Sequence, residues 1–189
     1  MEIIIKPLSP EMGETFTNYI RRMDFHHAPH WKYCNCQYYH TCCSNEDWRN
    51  RTDEMNRNLA LENIQRGVMH GFMAFDGDQP VGWINANDLR NLKRLEADED
   101  LQVYEGKTGM VLCFLIHPDY RRQGLATRLL ETAVEDFRAR GYDRVIGKPF
   151  IWSSHPDRQY HGVPSMFEKL GFENVSEING ERTYVLALK

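Results

Sequence analysis

The sequence predicts an α/β (α+β) protein built around a mixed, mostly antiparallel central sheet of six to seven strands that is flanked by helices. The unbroken apolar run Met110–Ile116 is typical of a strand buried on both faces at the centre of such a sheet. A glycine-containing loop and an amphipathic helix follow this strand, which indicates one half of a crossover connection. Two turn sequences, Asp76–Gln79 and Asn179–Gly180, each separate two strand-like segments and predict antiparallel hairpins.

Composition restricts the class of protein. The chain has 189 residues, 41% of them hydrophobic and 26% charged, and its net charge is −4. These values describe a globular chain with one domain, residues 1–189, and they exclude disorder as the overall state. The mild acidity argues against nucleic-acid binding and against anionic membranes, because both require a strong basic excess.

Targeting signals and cysteine usage predict where the protein works. The chain shows neither a run of about 20 apolar residues nor the basic-then-apolar start of a signal peptide. Its 5 cysteines are an odd number, which would leave one unpaired in an oxidising compartment. We therefore expect a cytoplasmic protein with free thiols.

The amino-terminal third is predicted to hold one strand and two helices. Glu2–Lys6 is a β-branched run typical of a strand. A helix then begins with Ser9 as its cap and runs to about Met23. In residues 24–41 the apolar side chains follow neither the helical nor the strand period, and the segment is rich in aromatic, His and Cys side chains. We therefore expect it to line a pocket. One helix is predicted from Ser44 to Gly67.

The middle of the chain is predicted to form a hairpin and a long polar connection. Val68–Phe75 and Pro80–Ala86 are the two strands of the hairpin. Asn87–Lys107 is polar, with one turn of helix around Leu89–Leu95 and an acidic run at residues 96–100. The acidic run is either a solvated surface segment or a surface that recognises a cationic substrate.

The carboxyl-terminal half contains the helix that follows the buried strand. Its apolar stripe consists of Leu125, Leu129, Leu130, Ala133, Val134 and Phe137, and it ends at Gly141. A short strand at Val145–Ile146 and a helix at Val163–Leu170 come next. The strands Phe172–Ile178 and Glu181–Leu188 form the last hairpin.

The loop between the buried strand and this helix is suited to binding an anion. The first amides of a helix have no acceptor within the helix and carry the positive end of its dipole. Gly124 allows close approach to the backbone, while Arg121 and Arg122 add positive charge. Each amide bond to a charged oxygen contributes about 1.5–3 kcal/mol, so a few of them would anchor a pyrophosphate. The alternative is a capped surface turn.

Two motifs connect this loop to a known family. The phosphate loops of P-loop and Rossmann proteins do not fit it. The pattern Arg/Gln-x-x-Gly-x-Gly/Ala does fit, and Phe114–Leu130 closely resembles the coenzyme-binding motif of the GNAT superfamily of acyl-CoA-dependent N-acetyltransferases. Ser165–Phe172 is similar to the second signature of that family, and the order of predicted elements matches its fold over nearly the whole chain.

The resemblance implies an acetyl-CoA-dependent transferase whose amine substrate attacks the thioester directly in a ternary complex. The backbone of the strand would pair with the pantetheine arm, the loop would hold the pyrophosphate, and an amide near Leu115 would stabilise the oxyanion. The residues assigned to the coenzyme on this basis are Phe114, Leu115, Ile116, Arg121, Arg122, Gln123, Gly124, Leu125, Ala126 and Thr127. The expected partner is a small-molecule or peptide amine, and homodimer formation is left open.

The sequence departs from the family at the residue that handles protons. Many members have a tyrosine that protonates the leaving thiolate, but the matching residue here is Phe167, and Met110 stands near the usual carboxylate position. Replacement candidates lie in the polar segment 152–161. We assign Tyr160 as the general acid and either His161 or a water path as the group that serves the amine, with His155 farther out; the alternative is an ordinary surface loop.

A group of cysteines suggests a metal site, but the spacing of these cysteines in the sequence does not support one. Cys34, Cys36, Cys42 and Cys43 lie close together beside His40, but they lack the paired spacing that structural zinc prefers. No metal is expected. Instead, the aromatic residues of this segment are predicted to form one wall of the acceptor pocket: Trp31, Tyr33, Tyr38 and Tyr39.

Three functions compete. The leading one is acetyl transfer from acetyl-CoA to a primary amine. The second is an acyl-CoA-binding regulatory or sensor protein with little turnover, which the missing tyrosine suggests. The third is a metal-binding module. The acidic connection and the aromatic wall favour a cationic acceptor such as a polyamine, an aminoglycoside or a peptide amine.

Overall fold

A computed structural model describes residues 2–25, 28–151 and 159–189 of the chain. The described residues form a seven-stranded sheet flanked by helices, which confirms the predicted fold class. The strands are β1 (Ile3–Pro7), β2 (Gly71–Asp76), β3 (Gln79–Asp88), β4 (Thr108–Ile116), β5 (Arg144–Gly147), β6 (Glu173–Ile178) and β7 (Glu181–Ala187). The α-helices are α1 (Gly13–Arg22), α2 (Asn45–Arg49), α3 (Asp53–Gln65), α4 (Glu99–Gln102), α5 (Leu125–Ala139) and α6 (Pro164–Lys169).

The sheet is antiparallel except at one pair of strands. Its order is β1-β2-β3-β4-β5-β7-β6, and β4 pairs with β5 in parallel. This parallel pair is where α5 crosses from the end of β4 to the start of β5, as the crossover prediction required. Both predicted hairpins, β2–β3 and β6–β7, are present.

Strands β4 and β5 share only the first part of their length. Their pairing runs from Thr108 with Arg144 to Val111 with Gly147, and β4 then continues beyond the end of β5 to Ile116. In the same stretch the register with β3 shifts, and Cys113 has a φ of 54°, so β4 contains a β-bulge that turns its end. The place where β4 and β5 no longer pair is called the wedge.

Each face of the sheet carries its own hydrophobic core. On one face, α5 buries all six residues of its predicted stripe, from Leu125 to Phe137. On the other face, α1 and α3 pack with Trp83. This side chain is fully buried, and its ring centroid lies 4.7 Å from that of Phe16. Among the described residues, no helix is both long and apolar enough to span a bilayer.

The prediction of a single helix from Ser44 to Gly67 is wrong. The chain forms two helices there, α2 and α3, separated at residues 50–52. Thr52 ends the interruption, because its hydroxyl accepts a hydrogen bond from the Met55 N–H at 3.1 Å and begins a new helix. The polar connection, predicted with one helical turn, contains two 3₁₀ helices, Leu89–Asn91 and Lys93–Ala97, followed by α4.

Candidate functional site

The loop between β4 and α5 contains two residues in the left-handed region of backbone conformation. Arg122 and Gly124 both have positive φ angles, 61° and 80°. Gly124 is the residue before α5, so the first N–H groups of that helix, on Leu125, Ala126 and Thr127, have no acceptor within the helix. A Cβ on Gly124 would meet no atom within 4 Å, so the space beside this residue is open.

Side chains of the loop brace it from within. Arg121 Nε donates to the Ile116 carbonyl at 3.0 Å, and Gln123 Nε2 donates to the Asp119 carbonyl at 2.7 Å. The hydroxyl of Tyr120 donates to Asp76 at 2.6 Å, which ties the loop to the end of β2. These bonds hold the loop in a shape that leaves its outer surface exposed.

The end of β4 is contacted by the segment that carries Tyr160 and His161. The N–H of Phe114 donates to the Tyr160 carbonyl at 2.6 Å, on the edge that β5 no longer covers. Leu115 pairs with Trp83 of β3, and its carbonyl accepts a hydrogen bond from the Tyr19 hydroxyl at 2.9 Å. The backbone amide that faces the wedge is therefore that of Phe114.

A cavity of about 740 Å³ lies at this end of β4. It is lined by Ile20, Phe25, His30, Trp31, Tyr33, Cys34, Cys36, Tyr38, Tyr39, Asn45, Trp48, Arg49, Arg51, Asn56, Cys113, Leu115, Phe150 and Tyr160. The four aromatic residues of the predicted wall are all among these. The cavity reaches the bulge of β4 through Cys113 and Leu115, so an occupant would lie beside the wedge.

Charge in this cavity comes from arginines. Within the described part of the chain its lining includes Arg49 and Arg51 and no carboxylate. The acidic run at residues 96–100 points to other partners: Asp98 accepts from Lys148 Nζ at 2.5 Å, and Asp100 accepts from the Ser176 hydroxyl at 2.9 Å.

Tyr160 and His161 have different positions relative to the cavity. Tyr160 lines it, with its ring 4.9 Å from that of Trp31, and burial raises the pKa of its phenol well above the ordinary value. The side chain of His161 is only 4% exposed and is not part of the lining. The third candidate, His155, lies outside the described residues.

His161 reaches the cavity through a residue that the sequence assigned only to the aromatic wall. The Tyr39 hydroxyl and His161 Nε2 are 2.9 Å apart, and His161 Nδ1 lies 2.9 Å from the Lys148 carbonyl oxygen. Glu181 Oε1 is 3.7 Å from the same Nδ1. No local pattern marks this group, because Tyr39 and His161 are 122 positions apart in the chain.

Phe167 and Met110, which stand where the resemblance implied a tyrosine and a carboxylate, are core residues. Phe167 is fully buried, and its ring packs against those of Phe172 and Tyr184 at 5.2 and 5.6 Å. Met110 is 1% exposed. Neither side chain can transfer a proton, so any acid or base must come from another residue.

The cysteines do not form one cluster. Cys34 and Cys36 line the cavity, Cys36 accepts a hydrogen bond from Trp83 Nε1 at 3.2 Å, and Cys43 lies beside Arg94. Burial and the neighbouring Cys36 raise the pKa of Cys34 to about 12, so this thiol stays protonated. In the described ranges, no three His, Cys, Asp or Glu side chains are placed to hold a metal ion.

Comparison with known protein families finds a match over most of the chain. A model described as the acetyltransferase (GNAT) family matches residues 31–172. This range includes the cavity wall, the wedge, the loop and the segment with Tyr160 and His161. No curated protein matches the chain in sequence.

Solved structures share the fold at low sequence identity. A polyamine N-acetyltransferase from Drosophila melanogaster, described as forming N-acetylagmatine, aligns with a TM-score of 0.62 and 15% identity over 98% of this chain and 100% of its own. A GNAT-family N-acetyltransferase from Escherichia coli in complex with CoA has a TM-score of 0.59 and 16% identity, covering 100% of this chain and 83% of its own. A chain of the NatC complex bound to Gag peptide and CoA has a TM-score of 0.57 and 16% identity, with 100% coverage of both chains.

Proposed function

The chain belongs to the GNAT acetyltransferase family, and from this premise we propose that it transfers the acetyl group of acetyl-CoA to a primary amine of a small molecule or peptide. We further propose that residues 1–189 act as one domain of this kind. The observation that carries the proposal is the cavity of about 740 Å³ that meets β4 at Cys113 and Leu115, where β4 has separated from β5. An amine in the cavity and a thioester in the wedge would meet at that point.

The proposed coenzyme site has two parts. The amides of residues 122–127 would bind the pyrophosphate, with Arg121 and Arg122 adding positive charge. The backbone of Phe114, Leu115 and Ile116 would pair with the pantetheine arm along the open edge of β4. The Phe114 N–H now donates to the Tyr160 carbonyl, so pairing with the coenzyme there requires this hydrogen bond to be exchanged.

The proposed reaction needs no covalent enzyme intermediate. The amine nitrogen attacks the thioester carbon, the C–N bond forms and the C–S bond breaks. Tyr160 would protonate the departing thiolate, since its raised phenol pKa keeps it protonated at neutral pH. The buried thiols are poor nucleophiles, because the hydrogen bond with Cys36 and burial raise the pKa of Cys113 as well.

The acceptor class is to be identified by a substrate screen. The GNAT proteins of similar fold act, by their descriptions, on polyamines or bind a peptide. The arginines in the cavity lining also favour testing amines that carry a carboxylate. A panel of polyamines, aminoglycosides, amino acids, arylalkylamines and peptide amines, assayed with acetyl-CoA by release of free thiol, covers these classes. Reactions without amine measure thioester hydrolysis.

A second function is favoured by one observation, the absence of a titratable group at Phe167. An acyl-CoA sensor would bind acetyl-CoA in calorimetry and acetylate none of the panel. Amine-dependent thiol release together with a mass increase of the amine by one acetyl group supports the transferase. Absence of acetyl-CoA binding would overturn both functions.

A further inference from the structure

We propose that Tyr39 and His161 form a proton relay that removes a proton from the acceptor's ammonium group, with Tyr39 as the catalytic residue that touches the substrate and Glu181 as a positioning residue. This inference rests on the proposed acetyltransferase function and assigns a general base for it. It replaces direct access of His161 to the amine with a route through the Tyr39 phenol.

The hydrogen bonds of His161 define which nitrogen carries its proton. Nδ1 lies 2.9 Å from the Lys148 carbonyl oxygen, and a carbonyl oxygen can only accept. Nδ1 therefore carries the hydrogen, and Nε2 of the neutral ring has a free lone pair. The Tyr39 hydroxyl, 2.9 Å from Nε2, must then donate its hydrogen to that lone pair.

This direction of donation leaves the Tyr39 oxygen able to accept a proton from the cavity. The Tyr39 side chain lines the cavity together with Cys113 and Leu115 of the β4 bulge. The imidazole behind it is 4% exposed and does not line the cavity. The phenol thus stands between the proposed amine site and a buried base.

The surroundings of His161 are suited to holding a positive charge transiently. Glu181 Oε1 lies 3.7 Å from Nδ1. Burial opposes ionisation of Glu181, but the neighbouring His161 ring and the charge of Lys148 outweigh it and hold the carboxyl pKa below its ordinary value. Lys148 Nζ, 3.2 Å from Glu181, is in turn paired with Asp98 at 2.5 Å. The nearby Tyr160 ring, 4.7 Å away, carries a neutral phenol whose pKa burial has raised.

The ring of His161 is also held in one plane. Phe150 stacks on it with centroids 4.5 Å apart and an interplanar angle of 18°. Together with the bond to the Lys148 carbonyl, this stacking keeps Nε2 directed at Tyr39. A relay needs this kind of fixed geometry, since proton transfer requires hydrogen-bond contact.

The proton balance is complete. One N–H bond of the ammonium breaks and its proton binds the Tyr39 oxygen, while the Tyr39 O–H bond breaks and that proton binds His161 Nε2. The neutral amine then attacks the thioester, and the second proton lost by nitrogen goes to the thiolate by way of Tyr160 or solvent. After product release, His161 returns its proton through Tyr39 to water.

Tyr39→Phe tests the relay, with Tyr142→Phe as the matched control. Tyr142 is a tyrosine outside the cavity lining, and its hydroxyl donates to the Asp88 carboxylate at 3.1 Å. The probe is the panel amine with the highest wild-type kcat/KM, measured from pH 6 to pH 10. We expect Tyr39→Phe to lower kcat/KM by about 100-fold at pH 7, the size typical of losing a general base.

The pH profile separates a relay from a merely structural role. Without the relay, only the neutral amine reacts, so kcat/KM of Tyr39→Phe should rise about tenfold per pH unit and approach wild type near the amine's own pKa. His161→Gln can still accept a hydrogen bond from Tyr39 but cannot take a proton, so its profile should match that of Tyr39→Phe. Tyr142→Phe should stay within about threefold of wild type at every pH.

Nitrogen-15 NMR of labelled histidine gives a readout independent of turnover. We expect neutral His161 to be protonated at Nδ1, as its contact with Lys148 requires. Wild-type kcat/KM in Tyr39→Phe at pH 7, an equal loss in Tyr142→Phe, or an Nε2-protonated ring would each overturn the relay while leaving the transferase function intact. Wild-type protein that acetylates no panel amine would overturn the transferase function itself, and the relay with it.

Discussion

Tyr160 and His161 are adjacent in the chain, but their side chains serve different surroundings. The phenol of Tyr160 faces the cavity, whereas the imidazole of His161 is enclosed by Tyr39, Phe150 and the Lys148 carbonyl. The two rings meet edge to face with centroids 4.7 Å apart, but only Tyr160 lines the cavity. At the residue scale, this arrangement permits a proposed acid and a proposed base within one short segment.

The proposed role of Tyr160 as general acid predicts a loss confined to turnover. Tyr160→Phe should lower kcat by about 10²-fold or more while changing acetyl-CoA affinity little, because the ring that packs on Trp31 is kept. Burial raises the pKa of this phenol, so it remains the protonated donor up to alkaline pH, and the deficit should persist at pH 9. Steady-state kinetics and calorimetry at both pH values measure this; full kcat in the variant would contradict the role.

The loop amides predict a loss confined to coenzyme binding. Gly124→Val places a β-branched side chain at a φ of 80°, which costs about 1–3 kcal/mol and shifts the first amides of α5. We expect acetyl-CoA affinity to fall at least tenfold in calorimetry. Gly141→Val is the control, because Gly141 has a φ of 72° at the other end of α5 and equally open space. Equal coenzyme affinity in the two variants would contradict the loop assignment.

The separated cysteines predict that no metal is retained. Cys34 and Cys36 line the cavity, whereas Cys43 contacts Arg94. A structural zinc site needs four ligands around one point, which this arrangement does not supply. Elemental analysis of freshly purified protein should find less than about 0.1 zinc per chain; one zinc per chain would overturn the prediction.

At the scale of elements, the site depends on how closely α6 approaches β5. A Cβ added to Gly147 would lie 2.2 Å from Phe167 Cε1, so the strand can approach the helix only because residue 147 is glycine. The Phe167 ring in turn lies 6.3 Å from that of Phe114 on β4. Phe167 stands at the position where the family resemblance implied a tyrosine acid, and here its ring packs against β5 and Phe114.

This close approach predicts a compensating pair of substitutions. Gly147→Ala should destabilise the protein by about 1–3 kcal/mol, because the ring of Phe167 must move to admit the methyl group. Phe167→Leu leaves a smaller side chain there, so adding Gly147→Ala to it should cost less than the sum of the single changes. Urea unfolding of the four proteins completes the cycle. Strict additivity would show that the two residues do not constrain each other.

At the scale of the whole molecule, one ion-pair network connects three distant segments. Lys148 follows β5, Asp98 lies in the connection before β4, and Glu181 begins β7. Burial lowers the pKa of Lys148, but hydrogen bonding to Asp98 and the charges of Glu181 and Asp98 outweigh it and raise that pKa above its ordinary value. The network therefore holds the polar connection against the sheet and the segment with His161.

The signs of these shifts predict a pH window for stability. A carboxyl pKa below its ordinary value gives Glu181 a contribution that is present above about pH 4.3 and lost as pH falls through the lower folded value. The raised pKa of Lys148 gives a contribution present below about pH 10.4 and lost above it. Glu181→Gln should therefore cost about 1–3 kcal/mol between about pH 5 and pH 10, and less below pH 4. A deficit that does not change from pH 3 to pH 7 would contradict this assignment.

The sequence alone determined what local periodicity and turn chemistry can specify. The buried strand at β4, the six-residue stripe of α5, the loop at Gly124 and the hairpin at Asn179–Gly180 were all predicted, because each is decided by residues close together in the chain. The break between α2 and α3 was missed, since the helical pattern on both sides concealed the Thr52 cap.

Tertiary structure alone decided how the proposed acid and base meet the cavity. The pairing of Tyr39 with His161 joins residues 122 positions apart, and the bond from Phe114 to the Tyr160 carbonyl depends on β5 ending before β4 does. Such contacts follow from how the sheet closes and how its two faces are packed, and no local pattern encodes them. The sequence supplied the candidate proton-transferring residues, and the fold determined which of them line the cavity.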